Sequence, residues 1–328
     1  MRGHNAMRIE QTHTVTRSRI AERRRVRPGR LSPDTELTLG LSEREYPVLP
    51  VLWQLQISHY VEKVRWALDY KHVPHIRRTL LPGLHVFTAR RLTGDTSTTP
   101  VLTIGERSIG DSTRIIATIE ERWPHPPLYP EDQGQRRRAL ELEEFFDEEL
   151  GPHLRRAFYH ELLPHPELVV PLFTHGRPAA ARILQAGFPL LRVAMRRRFE
   201  ISVESAAWSR AKMVAAMDRL EREISTTGHL VGDSFTVADL TAAALFYGVV
   251  RPVEFPYPMV PEDDLPDSWR EFTDSLARRP GGRWVTEIYH RHRGRSADRT
   301  GPQRAKADRT DPEATRDGKQ QPIKRRPT

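Results

Sequence analysis

The 328-residue chain contains no cysteine. Disulfide bonds, thiolate metal ligands and cysteine nucleophiles are therefore excluded. Long apolar runs are also missing: the longest candidate, residues 240–250, is interrupted by Thr241 and Gly248 and is shorter than the roughly 18 residues of a membrane span. The N-terminus shows no signal-peptide apolar core. These absences predict a protein without a transmembrane segment, and we expect a cytoplasmic location.

The positive charge is concentrated at the two ends of the chain. The formal net charge is +9, with +4 on residues 1–45 and +7 on residues 290–328, which leaves −2 for the stretch between them. The basic character therefore does not indicate a nucleic-acid surface on the folded body, and we expect no specific nucleic-acid partner. Since both ends lack periodic apolar residues, we predict a disordered basic leader over 1–45 and a disordered basic tail over 290–328.

Residues 46–123 alternate between strand-like and helix-like patterns. An apolar run ends near Leu55, and behind Ser58 the apolar period changes to three or four residues, which predicts an amphipathic helix capped by Ser58. The patterns that follow predict strands at 75–81, 101–104 and 107–109, and helices at 84–92 and from 112 to about 123. The order β-α-β-α-β-β-α predicts a small α/β domain.

The next stretch, 124–133, contains four prolines and is predicted to be a linker. Beyond it the apolar spacing is helical, which predicts an all-helical domain over 134–289. Gly151-Pro152 and Pro189 are expected to break or kink their helices. The predicted helices cover 135–163, 178–199, 203–225, a segment capped by Thr236 with Asp239, and 268–277.

Four motifs, in this order, resemble the glutathione S-transferase family over residues 48–285. They are Ser58-His59-Tyr60-Val61-Glu62-Lys63-Val64-Arg65, Thr99-Pro100-Val101, Asp111-Ser112 and the run Gly232-Asp233-Ser234-Phe235-Thr236-Val237-Ala238-Asp239. The first resembles the active-site motif of the serine-type and cysteine-type classes, and the last the capping motif of the helical domain. The resemblance implies a thioredoxin-like N-terminal domain followed by an all-helical domain, in a homodimeric transferase that acts in detoxification.

The resemblance also implies roles for the motif residues. Ser58 stands at the catalytic position, where its hydroxyl and the helix dipole would stabilise the thiolate of glutathione, the co-substrate. Thr99 and Pro100 resemble the cis-proline turn that holds the cysteinyl part of glutathione. Asp111 and Ser112 resemble the pair that holds its γ-glutamyl group, with Asp111 suited to the ammonium and Ser112 to the α-carboxylate.

Three aromatic residues, Tyr60, Phe158 and Tyr159, are candidates for the pocket of a small electrophile. No metal is expected, because the acidic cluster near His153 lacks the paired Glu-x-x-His motifs of a di-iron bundle. Without cysteine a mixed disulfide with glutathione cannot form, which disfavours thiol–disulfide exchange.

The sequence departs from the family pattern at two places. His59 stands where many relatives have a proline, and residues 82–99 show no counterpart of the residues that hold the glycyl carboxylate. His85, Arg90 and Arg91 are electrostatic candidates for that role.

Two other functions remain open at this point. Ser58 could serve only as a helix cap, in a non-catalytic glutathione-binding or protein-interaction module of the same fold. The basic segments, including the amphipathic 178–199, could instead belong to a peripheral membrane or nucleic-acid adaptor.

Overall fold

The computed structural model describes residues 48–300, so the predictions for the leader 1–45 and for residues 301–328 lie outside the described residues. The first part of the fold contains four short strands and three helices in the predicted order β-α-β-α-β-β-α. Their bounds are β1 Val51–Gln54, α1 His59–Tyr70, β2 Ile76–Thr79, α2 His85–Thr93, β3 Val101–Ile104, β4 Arg107–Gly110 and α3 Ser112–Arg122.

The strands form one mixed sheet in the order β2-β1-β3-β4. Strand β1 is parallel to β2 and antiparallel to β3, and β3 is antiparallel to β4. Trp53 of β1 and Gly110 of β4 both pair with Val101 of β3. As a result, the segments that follow β1 and β4 leave the sheet at the same end at which the chain enters β3.

The second part of the fold is built from helices, which confirms the predicted all-helical region after the thioredoxin-like sheet. As predicted, the helical run is broken at Gly151-Pro152: α4 ends at Glu149 and α5 begins at Gly151. Thr236 and Asp239 form the capping box at the start of α9. The helices are α4 Gln133–Glu149, α5 Gly151–Leu162, α6 Pro166–Thr174, α7 Pro178–Arg198, α8 Val203–Glu223, α9 Val237–Val250, α10 Asp267–Ala277 and α11 Pro280–His292. None of the helices in residues 48–300 is long and apolar enough to cross a membrane.

A break or a kink was predicted at Pro189; helix α7 is continuous through it, so the break is wrong. A proline inside a helix removes one backbone hydrogen bond, at a cost of about 3 kcal/mol. Gln185, whose carbonyl loses its partner, is exposed to water. Phe188 and Met195 are buried on the same helix, and their packing stabilises α7 across the proline.

The predicted disordered tail is also wrong for residues 290–300. Helix α11 continues to His292, and the Arg293 that follows is only 2% exposed. Its Nε donates to Glu62 Oε1 at 2.7 Å, and its Nη1 donates to Asp69 Oδ2 at 2.8 Å. The sequence predicted a solvated tail because the segment is rich in charged residues. Composition does not reveal that two buried carboxylates of α1 require a buried partner.

Asp69 lies at the centre of this buried network. Arg77 of β2 donates to both of its carboxylate oxygens, at 2.8 and 2.6 Å, and the backbone N–H of Ala297 donates to Oδ1 at 2.8 Å. Burial by itself would raise the pKa of Asp69, but Arg77 and Arg293 hold the pKa below its ordinary value. The carboxylate is therefore charged in the folded protein and binds the segment after α11 to the first helix.

Arg293→Met should destabilise the protein by about 3–5 kcal/mol, because it leaves the buried carboxylates of Glu62 and Asp69 undercompensated. Urea unfolding at neutral pH measures the effect. Arg291→Met is the matched control: Arg291 is half-exposed and pairs with Glu287 one helical turn away, so its loss should cost less than about 1 kcal/mol. Equal destabilisation by the two variants would contradict a structural role for Arg293.

Candidate functional site

The motif residues lie together at the end of the sheet at which the chain enters β3. Ser58 follows β1, Thr99 and Pro100 precede β3, and Asp111 follows β4 directly. Because Val101 pairs with Gly110, Pro100 and Asp111 are the next residues beyond that pair on adjacent strands. Residues far apart in sequence are thus brought together by strand register.

A cavity of about 320 Å³ opens at this place, between the sheet end and helices α5, α7 and α9. Its wall includes Ser58 and Thr99, together with all three aromatic residues predicted for an electrophile pocket, Tyr60, Phe158 and Tyr159. Pro100, Asp111 and Ser112 are not part of that wall. The structure therefore places them beside the cavity, at the adjacent strand ends.

Ser58 is the N-cap of α1, as predicted from the sequence. Its Oγ accepts a hydrogen bond from the Val61 N–H at 3.4 Å, which is longer than the usual 2.7–3.2 Å. Among the described residues, none accepts a hydrogen bond from the Ser58 hydroxyl. The hydroxyl thus contributes to the cap only as a weak acceptor, and its proton is available to a ligand in the cavity.

Tyr247 of α9 holds the turn that precedes Ser58. Its hydroxyl donates to the backbone carbonyl of Ile57 at 2.5 Å. Burial raises the pKa of Tyr247, so the phenol remains a proton donor at neutral pH. Sequence reasoning missed this contact, since the two residues are 190 positions apart and Tyr247 lies in an apolar run that indicates core packing.

The other motif residues have well-defined local geometry. The Thr99–Pro100 peptide bond is cis. Asp111 has a positive φ of 71° and caps α3, with its Oδ1 accepting from the Arg114 N–H at 3.0 Å. The Asp111 side chain is exposed, whereas Ser112 is buried at the first turn of α3.

Tyr60 contributes its ring to the cavity, while its hydroxyl is used elsewhere. The hydroxyl donates to the backbone carbonyl of Asp147 at 2.7 Å. Gly151 makes this approach possible, because a Cβ at that position would overlap the tyrosine oxygen. Tyr60 therefore joins α1 to α4 and α5, and its hydroxyl proton is not free to act on a ligand.

Next to it, the buried Lys63 forms ion pairs with two carboxylates of α4, Asp147 Oδ2 at 2.5 Å and Glu143 Oε1 at 2.7 Å. Burial by itself would lower the pKa of Lys63, but the two carboxylates raise the pKa above its ordinary value. This charged contact holds the helix that begins at Ser58 against the helical domain.

Two residues of the cavity wall were not singled out for this site by the sequence. Arg155 of α5 has its guanidinium 4.5 Å from the centre of the Phe199 ring. His59 is buried with its ring 4.4 Å from that of Tyr60. Burial, aided by the charge of Arg155, lowers the pKa of His59 to about 3. His59 is therefore neutral at physiological pH.

The three residues proposed to bind the glycyl carboxylate by charge lie in different places. His85 lies on the cavity wall and accepts at Nδ1 from the Gly83 N–H at 3.1 Å, whereas Arg90 and Arg91 are exposed and lie off the wall. Within residues 48–300, no group of three or more acidic or histidine side chains could hold a metal ion.

A second cavity, of about 600 Å³, lies between α6 and residues 256–264. None of the motif residues lines it. The smaller cavity is the candidate site because it combines a free hydroxyl at a helix N-terminus, a cation and an apolar wall.

Two family models match the sequence. "Glutathione S-transferase, N-terminal domain" matches residues 52–127, and "Glutathione S-transferase, C-terminal domain" matches residues 183–267. No curated protein matches the sequence in the corresponding search.

Among solved structures, a possible glutathione S-transferase from Rhodopseudomonas palustris is 16% identical with a TM-score of 0.50, covering 76% of this chain and 98% of that one. A glutathione S-transferase from Methylobacterium radiotolerans, in complex with glutathione sulfonate, is 22% identical with a TM-score of 0.45, covering 71% and 92%. At these identities the similarity concerns the fold.

The neutral state of His59 predicts a pH dependence of stability. The unfolded chain binds a proton at this residue below about pH 6.5 while the folded protein does not, so stability falls as the pH falls. From pH 7 to pH 5 the contribution of His59 is about 2 kcal/mol. Urea unfolding at the two pH values should show a smaller loss for His59→Leu than for the unchanged protein.

The loss of unfolding free energy between the two pH values is compared between variants, so the contributions of the other histidines cancel. His290→Leu is the matched control, because His290 is exposed and its variant should keep the full pH dependence. An unchanged pH dependence in His59→Leu would contradict a neutral buried His59.

Proposed function

Because the chain belongs to the glutathione S-transferase family, we propose that it is a glutathione transferase in which Ser58 stabilises the attacking thiolate. The observation that carries the proposal is the Ser58 hydroxyl, which lies on the cavity wall with its proton unused by the described residues. A hydroxyl donor at the positive end of a helix favours the thiolate over the thiol.

In the proposed reaction the glutathione thiol first loses its proton to water. A sulfur lone pair then forms a bond to an electrophilic carbon, and the bond from that carbon to its leaving group breaks, with the electron pair departing on the leaving group. With a hydroperoxide, the thiolate would attack the terminal oxygen, and the O–O bond would break with its electron pair departing on an alkoxide that takes a proton from water. The sulfenic acid formed on glutathione would then react with a second glutathione to give glutathione disulfide and water. Ser58 donates its hydrogen bond throughout and is not consumed.

Glutathione would lie along the end of the sheet. Thr99 and Pro100 would hold its cysteinyl part, which brings the sulfur toward Ser58 across the cavity. The carboxylate of Asp111 would bind the γ-glutamyl ammonium, and Ser112 with the free N–H groups at the start of α3 would bind the α-carboxylate. The rings of Phe158 and Tyr159 would form the electrophile side of the cavity.

The family also supports the wider proposal that the enzyme is a cytoplasmic homodimer that acts in detoxification. The non-catalytic alternative keeps the same glutathione site and removes only the role of the Ser58 proton. Retention on immobilised glutathione followed by assay of generic electrophiles separates these two functions: binding with no conjugation of any electrophile would overturn the enzyme proposal.

Ser58→Ala should lower kcat at saturating glutathione by about tenfold to a hundredfold, because a hydrogen bond to a charged group contributes about 1.5–3 kcal/mol. For the same reason the thiol pKa of bound glutathione should rise by about one to two pH units. Stopped-flow or steady-state assays give kcat, and ultraviolet absorption of the thiolate as a function of pH gives the thiol pKa.

Ser97→Ala is the control for Ser58, since it removes another hydroxyl from the same wall and should change neither quantity. Unfolding measurements should show a loss of less than about 1 kcal/mol for Ser58→Ala, given the long cap hydrogen bond. An unchanged kcat and thiol pKa in Ser58→Ala would leave Ser58 as a helix cap alone.

Asp111→Asn should raise the KM for glutathione by about tenfold with little change in kcat, because the amide cannot form the ion pair with the ammonium. Asparagine retains both structural functions of this position: it caps helices well and tolerates a positive φ. Asp95→Asn is the control, since Asp95 is a nearby exposed acid that pairs with Arg114 at 3.6 Å. An equal KM for glutathione in the unchanged protein and both variants would contradict the binding of the γ-glutamyl ammonium by Asp111.

A further inference from the structure

Arg155 is a cation of the cavity wall without a carboxylate partner. Its Nε is buried and has no hydrogen-bond partner among the described residues. The ionisable groups around it are His59, two tyrosines, Tyr60 and Tyr159, and two further arginines, Arg156 and Arg198. Within the part of the chain that the structure describes, no Asp or Glu lines the cavity.

The fully buried arginines among residues 48–300 are compensated. Arg65 donates to Glu62 Oε2 at 2.8 Å, Arg77 to both oxygens of Asp69, and Arg293 to both Glu62 and Asp69. Arg155 is only partly buried, but a buried donor left without an acceptor costs about 1–3 kcal/mol, and more on a charged group. The unpartnered Nε of Arg155, directly on a cavity, indicates that its counter-charge comes from a ligand.

The surroundings of Arg155 restrict the kind of anion that fits. Its guanidinium lies over the Phe199 ring, which stacks in turn on Tyr159 with ring centres 5.6 Å apart. The wall is otherwise largely apolar and includes Phe158, Phe173, Leu191, Met195 and Trp269. A small inorganic anion would leave this apolar surface uncovered, whereas an acid with an aromatic body would cover it.

A second cation lies at the same cavity. Arg198, at the C-terminal end of α7, lines the wall but is exposed to solvent. Its charge reinforces the positive potential around Arg155, and the absence of acids from the wall leaves that potential uncancelled. The positive potential therefore favours the binding of anionic electrophiles, and it does not favour the binding of neutral or cationic ones.

We propose that the co-substrate subsite of this cavity binds an aromatic carboxylate, with the acid group on Arg155 and the ring against Phe199, Phe158 and Tyr159. The acid group takes no part in bond breaking; it orients the electrophilic carbon toward the sulfur near Ser58. That the aromatic carboxylate is a co-substrate rests on the proposed function. That it binds to Arg155 does not.

Calorimetry with unreactive ligands tests the binding directly. The probes are a nitrobenzoate and the amide of the same acid, titrated into the full chain saturated with S-methylglutathione. The unchanged protein should bind the acid about tenfold to a hundredfold more tightly than the amide, as expected of a charge-assisted hydrogen bond. Arg155→Met should lose that preference, and Arg155→Lys should keep part of it.

Arg192→Met is the matched control, because Arg192 is an exposed arginine of α7 that does not line the cavity. It removes one positive charge and should retain the preference for the acid. An equal preference in Arg155→Met and Arg192→Met would overturn the proposal, and so would equal affinity of the unchanged protein for acid and amide.

Kinetics and stability distinguish the remaining explanations. With a chloronitrobenzoate as electrophile, Arg155→Met should raise the KM for the acid and leave the KM for glutathione unchanged; a rise in the glutathione KM alone would place Arg155 at a carboxylate of glutathione and overturn the proposal. Without ligand, Arg155→Met should be at least as stable as the unchanged protein, and strong destabilisation would show a structural arginine instead.

Failure of the transferase proposal can be distinguished from failure of the proposed anion site. A protein that conjugates no electrophile but prefers the acid through Arg155 would overturn the transferase and keep the anion site. A protein that conjugates neutral electrophiles, with no acid preference in binding or kinetics, would keep the transferase and overturn the anion site.

Discussion

Helix α1 is held in place by buried charge pairs, and the geometry of the candidate site depends on them. Four charged residues of this helix, Glu62, Lys63, Arg65 and Asp69, are at most 1% exposed. Lys63 pairs with α4, Asp69 with β2, and both Glu62 and Asp69 with Arg293 after α11. Since Ser58 is the N-cap of this helix, its hydroxyl is positioned by contacts from three other parts of the chain.

These pairs also explain where sequence reasoning succeeded and where it failed. The strands, the capping positions at Ser58 and Thr236, and the break at Gly151 are local in sequence, and local patterns predicted them. The polar residues of α1 suggested an ordinary amphipathic helix, whereas the structure buries that polar face as well. Their partners are up to 231 positions away, and no spacing rule within one helix identifies them.

The candidate site shows the same division. Motifs identified the residues at the strand ends, because each motif contains its own turn or cap. Arg155 and Tyr247 belong to the cavity only through the packing of α5 and α9 on the first domain. In sequence, each looks like an ordinary member of a helical pattern: a charged residue on one face and an aromatic residue within a core run. Their roles follow from contacts that only the folded chain creates.

The contact between Arg293 and α1 has a consequence for synthesis of the protein. Glu62 leaves the ribosome 231 residues before its partner does, which at roughly 5–20 residues per second is a delay of about ten seconds or more. Until then, Glu62 and Asp69 have their nearby partners Arg65 and Arg77, and water takes the place of Arg293. The first helix therefore reaches its final burial, and the site at its N-terminus its final geometry, only after translation has passed α11.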